Sequence, residues 1–223
     1  LLKLIYKKKI MKKQKICIIG GNLTGLVTAV ALSKLNCDID IITDNSNRNI
    51  KSNRTIAISE NNFDFLNRLN ISQTLEKEVW PSSIMKLYTE TKGKKFSKIF
   101  ELNNENKKKK ILYILENIKI MKLLMNKIKK IKSVSLINNE KISEIFDVGL
   151  LKKIKLNNTK YNLIIICTGY NSRLVNNIFS DQIIENSYKE LAITAILNHS
   201  SFKNNTVRQI FLNNEILALL PIS

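Results

Sequence analysis

The stretch that most constrains the fold is Lys15 to Leu35, KICIIGGNLTGLVTAVALSKL. A short apolar run, Ile16-Cys17-Ile18-Ile19, meets the glycine pair Gly20-Gly21. Asn22-Leu23-Thr24 and Gly25 follow, and Leu26 to Leu35 repeats its apolar residues at helical spacing. A buried strand, a tight turn and a helix are the reading this pattern dictates. Such a turn carries backbone N–H groups and the positive end of a helix up to a pyrophosphate. The spacing sought is G-x-G-x-x-G. Gly20 fills the first place and Gly25 the last, while Asn22 stands in the middle one. Asn tolerates positive φ better than most residues, so the turn can form. Its side chain is expected to crowd the approach to the pyrophosphate. The position of the motif, first in the chain and between strand and helix, strengthens a dinucleotide-binding reading.

The rest of the composition narrows the classes. The 223 residues are 44% hydrophobic and 25% charged, enough chain for one large domain or two small ones. Two prolines and six glycines argue against disorder. The formal net charge is +19, yet only Arg48, Arg54, Arg68, Arg173 and Arg208 are arginines. Lysines scattered among asparagines and isoleucines do not form an arginine stripe with interleaved aromatics, so nucleic acid is not the expected partner. Weak attraction to an anionic membrane surface fits the charge as well. Cys17, Cys37 and Cys167 lack metal-ligand or CxxC spacing and read as small buried hydrophobes in a reducing compartment. No metal site is expected. His199 stands without a partner pattern. No apolar run reaches the roughly 18 residues that span a bilayer. The start, LLKLIYKKKIMKKQK, lacks a hydrophobic signal region, and Met11 is read as the start, with residues 1–10 a non-native or disordered leader. The ending LLPIS stops in a strand-like run and suggests a chain incomplete at its C-terminus.

Further along, Asp38 to Ile42 reads as a second parallel strand, with Thr43 and Asp44 at its end. An acid about 20 residues past the glycines is where a ribose is held in such folds, and Thr43 or Asp44 takes that place. A turn role for Asp44 in DNSN is equally open. Asn45 to Asn53 reads as loop. Arg54 to Ile58 leads to Ser59, which can cap a helix through Leu69, with Phe63, Leu66 and Leu69 on one face. Ser72 can cap a short helix ended by Trp80-Pro81. Ile84–Thr89 and Lys95–Glu101 form a hairpin around Lys92-Gly93, and the lysine run before Lys110 reads as solvated loop. Ile111–Leu115 is a strand and Glu116–Ile131 a helix. Val134–Leu136, Lys141–Phe146, Leu150–Leu156 and Lys160–Cys167 are strands, the last the most apolar and a candidate second central parallel strand. Glu190–Leu197, Thr206–Leu212 and Ile216–Ile222 read as three strands of an antiparallel sheet.

Taken in order, these stretches resemble the FAD-dependent aromatic monooxygenases of the para-hydroxybenzoate hydroxylase type, and among them the ubiquinone-biosynthesis hydroxylases. The turn Gly20–Gly25 is similar to that family's pyrophosphate turn. Arg54-Thr55-Ile56-Ala57-Ile58-Ser59 resembles its arginine-led segment beside the nucleotide. Tyr113-Ile114-Leu115-Glu116-Asn117 is similar to its strand entering a helix that opens Glu-Asn-Arg. Tyr161–Ser172 resembles its strand and Asp-Gly-x-x-Ser turn, and the run from Tyr188 to Pro221 its substrate-side sheet. The likeness covers about residues 14–223, and its collinearity carries it. There are departures: Asn22 for the middle glycine, Thr43 or Asp44 for a glutamate, Ile118 for the arginine after Glu-Asn, Thr168 for the aspartate of Asp-Gly, and Val175 for an arginine. The family's later Gly-Asp motif is not among the 223 residues.

The resemblance implies an α/β fold: a Rossmann-like FAD-binding region with a parallel central sheet, plus a partial antiparallel substrate-side sheet. It divides the chain into a discontinuous FAD-binding region, 11–80 with 105–180, and a substrate-side β-sheet region, 81–104 with 181–223. It implies FAD as cofactor, NAD(P)H as electron donor and a small aromatic or quinone-precursor substrate. The cofactor residues it points to are Gly20, Gly21, Asn22, Gly25, Thr43, Asp44, Arg54, Gly169 and Ser172. No catalytic acid or base has a supporting constellation. A cytoplasmic protein, peripheral at the inner membrane face or in a biosynthetic complex, is the expected setting. Two other readings stay open: a diverged relative without activity serving as an accessory or binding protein, and a NAD(P)-binding oxidoreductase of another family, which a six-strand doubly wound sheet would mark.

Overall fold

A computed structural model describes residues 13–44, 54–71, 75–93, 95–104, 109–138, 140–156, 158–169, 172–184, 186–200 and 204–222. The chain opens with β1 (Gln14–Ile19), α1 (Leu23–Leu32), β2 (Cys37–Thr43), β3 (Thr55–Ser59), α2 (Glu60–Arg68) and β4 (Trp80–Ser82). The hairpin β5 (Ile84–Thr91) and β6 (Lys95–Asn103) follows, then β7 (Leu112–Glu116), α3 (Asn117–Ile128) and β8 (Val134–Asn138). The remainder is β9 (Ile145–Val148), β10 (Leu151–Ile154), β11 (Lys160–Tyr161), β12 (Leu163–Ile166), α4 (Arg173–Phe179), β13 (Thr206–Phe211) and β14 (Ile216–Leu219). Two compact units divide these elements, Leu1–Asn47 with Asn126–Glu185 and Arg48–Met125 with Asn186–Ser223.

The first unit is built on a parallel sheet in the order β12-β1-β2-β8. In β1, Ile16 to Ile19 are apolar and buried on both faces, as fits a strand covered on both sides. On one side Ile18 meets α1 at Gly25, and α1 buries Leu26, Ala29 and Val30. On the other, Cys17, Ile19 and Ile42 join Ile142, Ile154, Tyr161 and Leu174 in one cluster. There the antiparallel sheet β11-β10-β9 supplies Ile154 and Tyr161. Alternate residues of β1 thus serve opposite layers, as a period of two requires.

One polar group is built into this core. Asp40 of β2 pairs in register with Cys17 and is buried. Its two oxygens accept from Lys15 Nζ at 2.8 Å and from the fully buried Tyr161 hydroxyl at 2.9 Å. A buried carboxylate is tolerable only when bonded in this way.

The second unit holds two sheets, β14-β13-β5-β6 and β3-β7-β4. Ser59 caps α2, accepting from the Asn62 N–H, and Phe63 and Leu66 turn inward as the helical spacing requires. In the part of α3 that belongs to this unit, Ile120 and Leu124 are buried. Ser82 is fully buried and donates to the Asn205 carbonyl at 2.7 Å.

Several sequence expectations change here. Trp80-Pro81, read as a helix stop, itself forms the short strand β4, paired with β7, after a helical Leu75 and a turn over 76–78. The Lys160–Cys167 run is two strands in two sheets, broken at Asn162, whose N–H donates to the Lys15 carbonyl and whose Oδ1 accepts from the Lys15 N–H, both at 2.8 Å. Its second half, β12, lies beside β1 as expected, yet at the edge of the described sheet rather than in its middle. Glu190–Leu197 forms no strand. β13 runs antiparallel to β14 but parallel to β5, so this sheet is mixed. The described parallel sheet has four strands, not the six of a doubly wound dehydrogenase. The expected leader, the Asn45–Asn53 loop and the Ser72 cap lie outside the described residues.

Candidate functional site

The β1–α1 turn is shaped by three approaches that leave no room for a side chain. Gly20 adopts φ +117, and a Cβ there would sit 2.2 Å from the Cys167 carbonyl oxygen at the end of β12. A Cβ on Gly21 would meet the Thr43 side chain at 2.9 Å, at the end of β2. A Cβ on Gly25 would lie 1.9 Å from the Gly20 carbonyl oxygen. The first and last glycines therefore let the helix press onto its own entry turn, and the second lets the turn sit on β2. Hydrogen bonds from Gly20 N to Ile42 O (2.8 Å) and from Cys167 N to Ile19 O (2.7 Å) tie the three strand ends together.

Asn22 is the N-cap of α1, with φ −82 and ψ 180. The positive φ that the sequence suggested for Asn22 falls instead on Gly20. Asn22 is exposed at the mouth of the turn, and its carbonyl accepts the first helical bond, from Leu26 N at 3.0 Å. No acidic residue lies in the first turn of α1. The leading N–H groups of a helix and its positive end are an anion-binding arrangement.

Thr43 is buried against Gly21, whereas Asp44 is exposed beside it. Gly169 takes φ +78 with open space where a Cβ would stand. Ser172 caps α4, accepting from the Val175 N–H at 3.4 Å. Gly20, Gly21, Asn22, Gly25, Thr43, Asp44, Gly169 and Ser172 all belong to the first unit, and the first five meet at one turn. Arg54 belongs to the second unit, exposed just ahead of β3, where its carbonyl accepts from Asn117 N at 2.8 Å.

Two features escaped the sequence reading. The Thr168 hydroxyl oxygen, two residues past β12, is buried without a hydrogen-bond partner among the described residues. Leaving such a group unpaired costs about 1–3 kcal/mol. The Asp40–Tyr161–Lys15 network was invisible because Tyr161 lies 121 residues from Asp40 in the chain. Burial, then the nearby Asp40 charge, pushes the Cys17 thiol up to about 12, and burial also raises Cys37 and Cys167, which disfavours the reactive thiolate. Among the described residues, no group of His, Cys, Asp and Glu could hold a metal ion.

A parallel sheet with a glycine turn at the carboxyl end of its first strand, and a mixed sheet in the second unit, make a fold that resembles those of solved FAD-dependent monooxygenases. The chain matches the crystal structure of p-nitrophenol 4-monooxygenase PnpA from Pseudomonas putida at TM-score 0.60 and 16% identity, over 74% of this chain and 43% of that one. It matches CtdE in complex with FAD at TM-score 0.65 and 12% identity, over 91% and 54%. It matches 2-methyl-3-hydroxypyridine-5-carboxylic acid oxygenase at TM-score 0.64 and 13% identity, over 91% and 53%. The chain thus spans about half the length of these structures. No protein-family model matches the sequence, and no curated protein matches it.

Proposed function

We propose that this chain is the FAD-binding part of a flavin-dependent aromatic hydroxylase. The observation that carries the reading is the β1–α1 turn, where three glycines are each held so closely that a Cβ is excluded. The neighbours support it, since CtdE was crystallised with FAD and the other two act on ring compounds by their names. The orphaned Thr168 hydroxyl beside the turn also fits a site made to hold a polar ligand.

Gly20, Gly21 and Gly25 shape the pyrophosphate cradle. Asn22 and the first N–H groups of α1 face the anion. Thr43 or Asp44 takes the ribose, Arg54 the nucleotide or its phosphates, and Gly169 and Ser172 lie beside the flavin. Bound FAD would supply the redox chemistry, with NAD(P)H as donor and oxygen as co-substrate. The chain's own residues bind, orient and exclude water. A ubiquinone precursor is the substrate we favour, and a peripheral membrane or biosynthetic-complex setting suits so lipid-like a molecule. No helix among the described residues is long and apolar enough to cross a membrane.

The test is a visible absorption titration of the purified chain with FAD. Flavin bands shifted by binding, and weakened at least tenfold in affinity by Arg54→Ala, would support the reading. A chain that leaves the FAD spectrum unchanged would refute it and leave the accessory relative.

A further inference from the structure

We infer that the β5–β6 hairpin of the second unit is a docking element for an anionic lipid surface. It is argued from that surface alone and not from the FAD reading. Every residue of β6 is exposed. Phe96 (54%), Ile99 (56%), Phe100 (49%) and Leu102 (43%) expose roughly half of their area along this one strand. The register places Leu102 opposite Met85 and Phe100 opposite Leu87 on one face, and Phe96 opposite Glu90 on the other. Ile99 has no partner across the hairpin, because Phe100 pairs with Leu87 and Lys98 with Tyr88. Large apolar side chains therefore flank both sides of one sheet edge, and an exposed concentration of this kind marks an interaction surface.

The charge around them selects the occupant. Among the described residues of this hairpin, Lys86, Lys92, Lys95 and Lys98 stand against Glu90 and Glu101. Glu101 is already paired with Lys86 and Lys98. Lys92 and Lys95 are exposed beside the hairpin tip. Addition of another protein strand is disfavoured, since lysines on an edge strand and a register irregularity both blunt it. A second copy of a chain carrying +19 is repelled. An anionic bilayer accepts both features: apolar side chains enter the headgroup boundary while lysines contact the phosphates.

The experiment is flotation of the full chain with vesicles of phosphatidylcholine alone and with a quarter phosphatidylglycerol. Binding is expected to the anionic vesicles, at least tenfold above neutral ones, and to fall steeply in 0.5 M salt. Phe96→Ser with Phe100→Ser, and separately Lys92→Glu with Lys95→Glu, should each reduce it at least tenfold, while Lys152→Glu with Lys155→Glu in the first unit should not. Phe100→Trp guards against misfolding of the serine variant: its added fluorescence should be quenched by spin-labelled lipid in anionic vesicles. Equal loss in the first-unit variant, binding to neutral vesicles alike, absence of quenching, or a dimer abolished by the serine pair would each overturn the proposal. FAD binding can survive or fail in every one of these outcomes, so the two readings are tested apart.

Discussion

Gly25→Ala tests the turn where it has least room. The added Cβ would lie 1.9 Å from the Gly20 carbonyl oxygen, and ordinary contact begins near 3.4 Å. Relief needs an opening of about 1.5 Å between helix and turn, an overpacking that costs about 1–3 kcal/mol. Alanine's better helix propensity returns about 1 kcal/mol of this, so the loss in stability is modest. The loss in binding should be larger. Backbone donors displaced that far cannot keep hydrogen bonds to a pyrophosphate, and each bond to a charged group is worth about 1.5–3 kcal/mol. FAD affinity should therefore fall at least tenfold, at about 1.4 kcal/mol per decade. Gly149→Ala is the comparator. That residue takes φ +63 with open space around it, so its substitution costs backbone strain of about 1–2 kcal/mol with no clash. The assay is flavin-fluorescence titration, paired with thermal melts of both variants. Unchanged FAD affinity in Gly25→Ala, or equal loss of affinity in both variants, would refute the argument.

Tyr161→Phe should lower stability by about 1.5–3 kcal/mol, because it strips a buried donor from the Asp40 carboxylate. A urea midpoint within experimental error of the parent would sink that account. The raised Cys17 thiol gives a pH dependence with a definite sign. Below the unfolded thiol's pKa both states hold the proton; above about 9 the unfolded chain releases it first, so stability drains away as pH climbs toward 12. Cys17→Ala should flatten this alkaline slope, read from urea midpoints at pH 7 and pH 10, and an unaltered slope would count against the assignment. Leu124→Ala, at a fully buried position of α3, should cost about 2–5 kcal/mol. A loss below 1 kcal/mol would show that the site collapses around the gap.

Elements whose signal is local were legible. The helix after Ser59 has its cap and its inward face within ten residues, and the hairpin from Ile84 has its turn glycine between two periodic runs. The misreadings share a cause. Trp80-Pro81 looks like a helix stop, but pairing with β7 makes it a strand. The Lys160–Cys167 run reads as one strand ending in apolar residues, and the Asn162–Lys15 bonds divide it between two sheets. Glu190–Leu197 is an apolar, strand-like run, yet no described strand pairs with it. Strand status depends on a partner that short-range pattern does not name.

The candidate site divides along the same line. Spacing alone marked Gly20, Gly21 and Gly25, because a glycine required by steric exclusion leaves its trace as a missing side chain. Thr43 and Asp44 were left as alternatives by the sequence, since one position of register separates a buried residue from an exposed one. The tertiary structure decided that Thr43 packs on the turn, that the positive φ belongs to Gly20 and not to Asn22, and that the Thr168 hydroxyl is stranded beside them. Each of these depends on where the ends of β1, β2 and β12 meet. That meeting is set by backbone bonds between separate segments, and those joining β1 to β12 link residues more than a hundred positions apart, which no local pattern of side chains records.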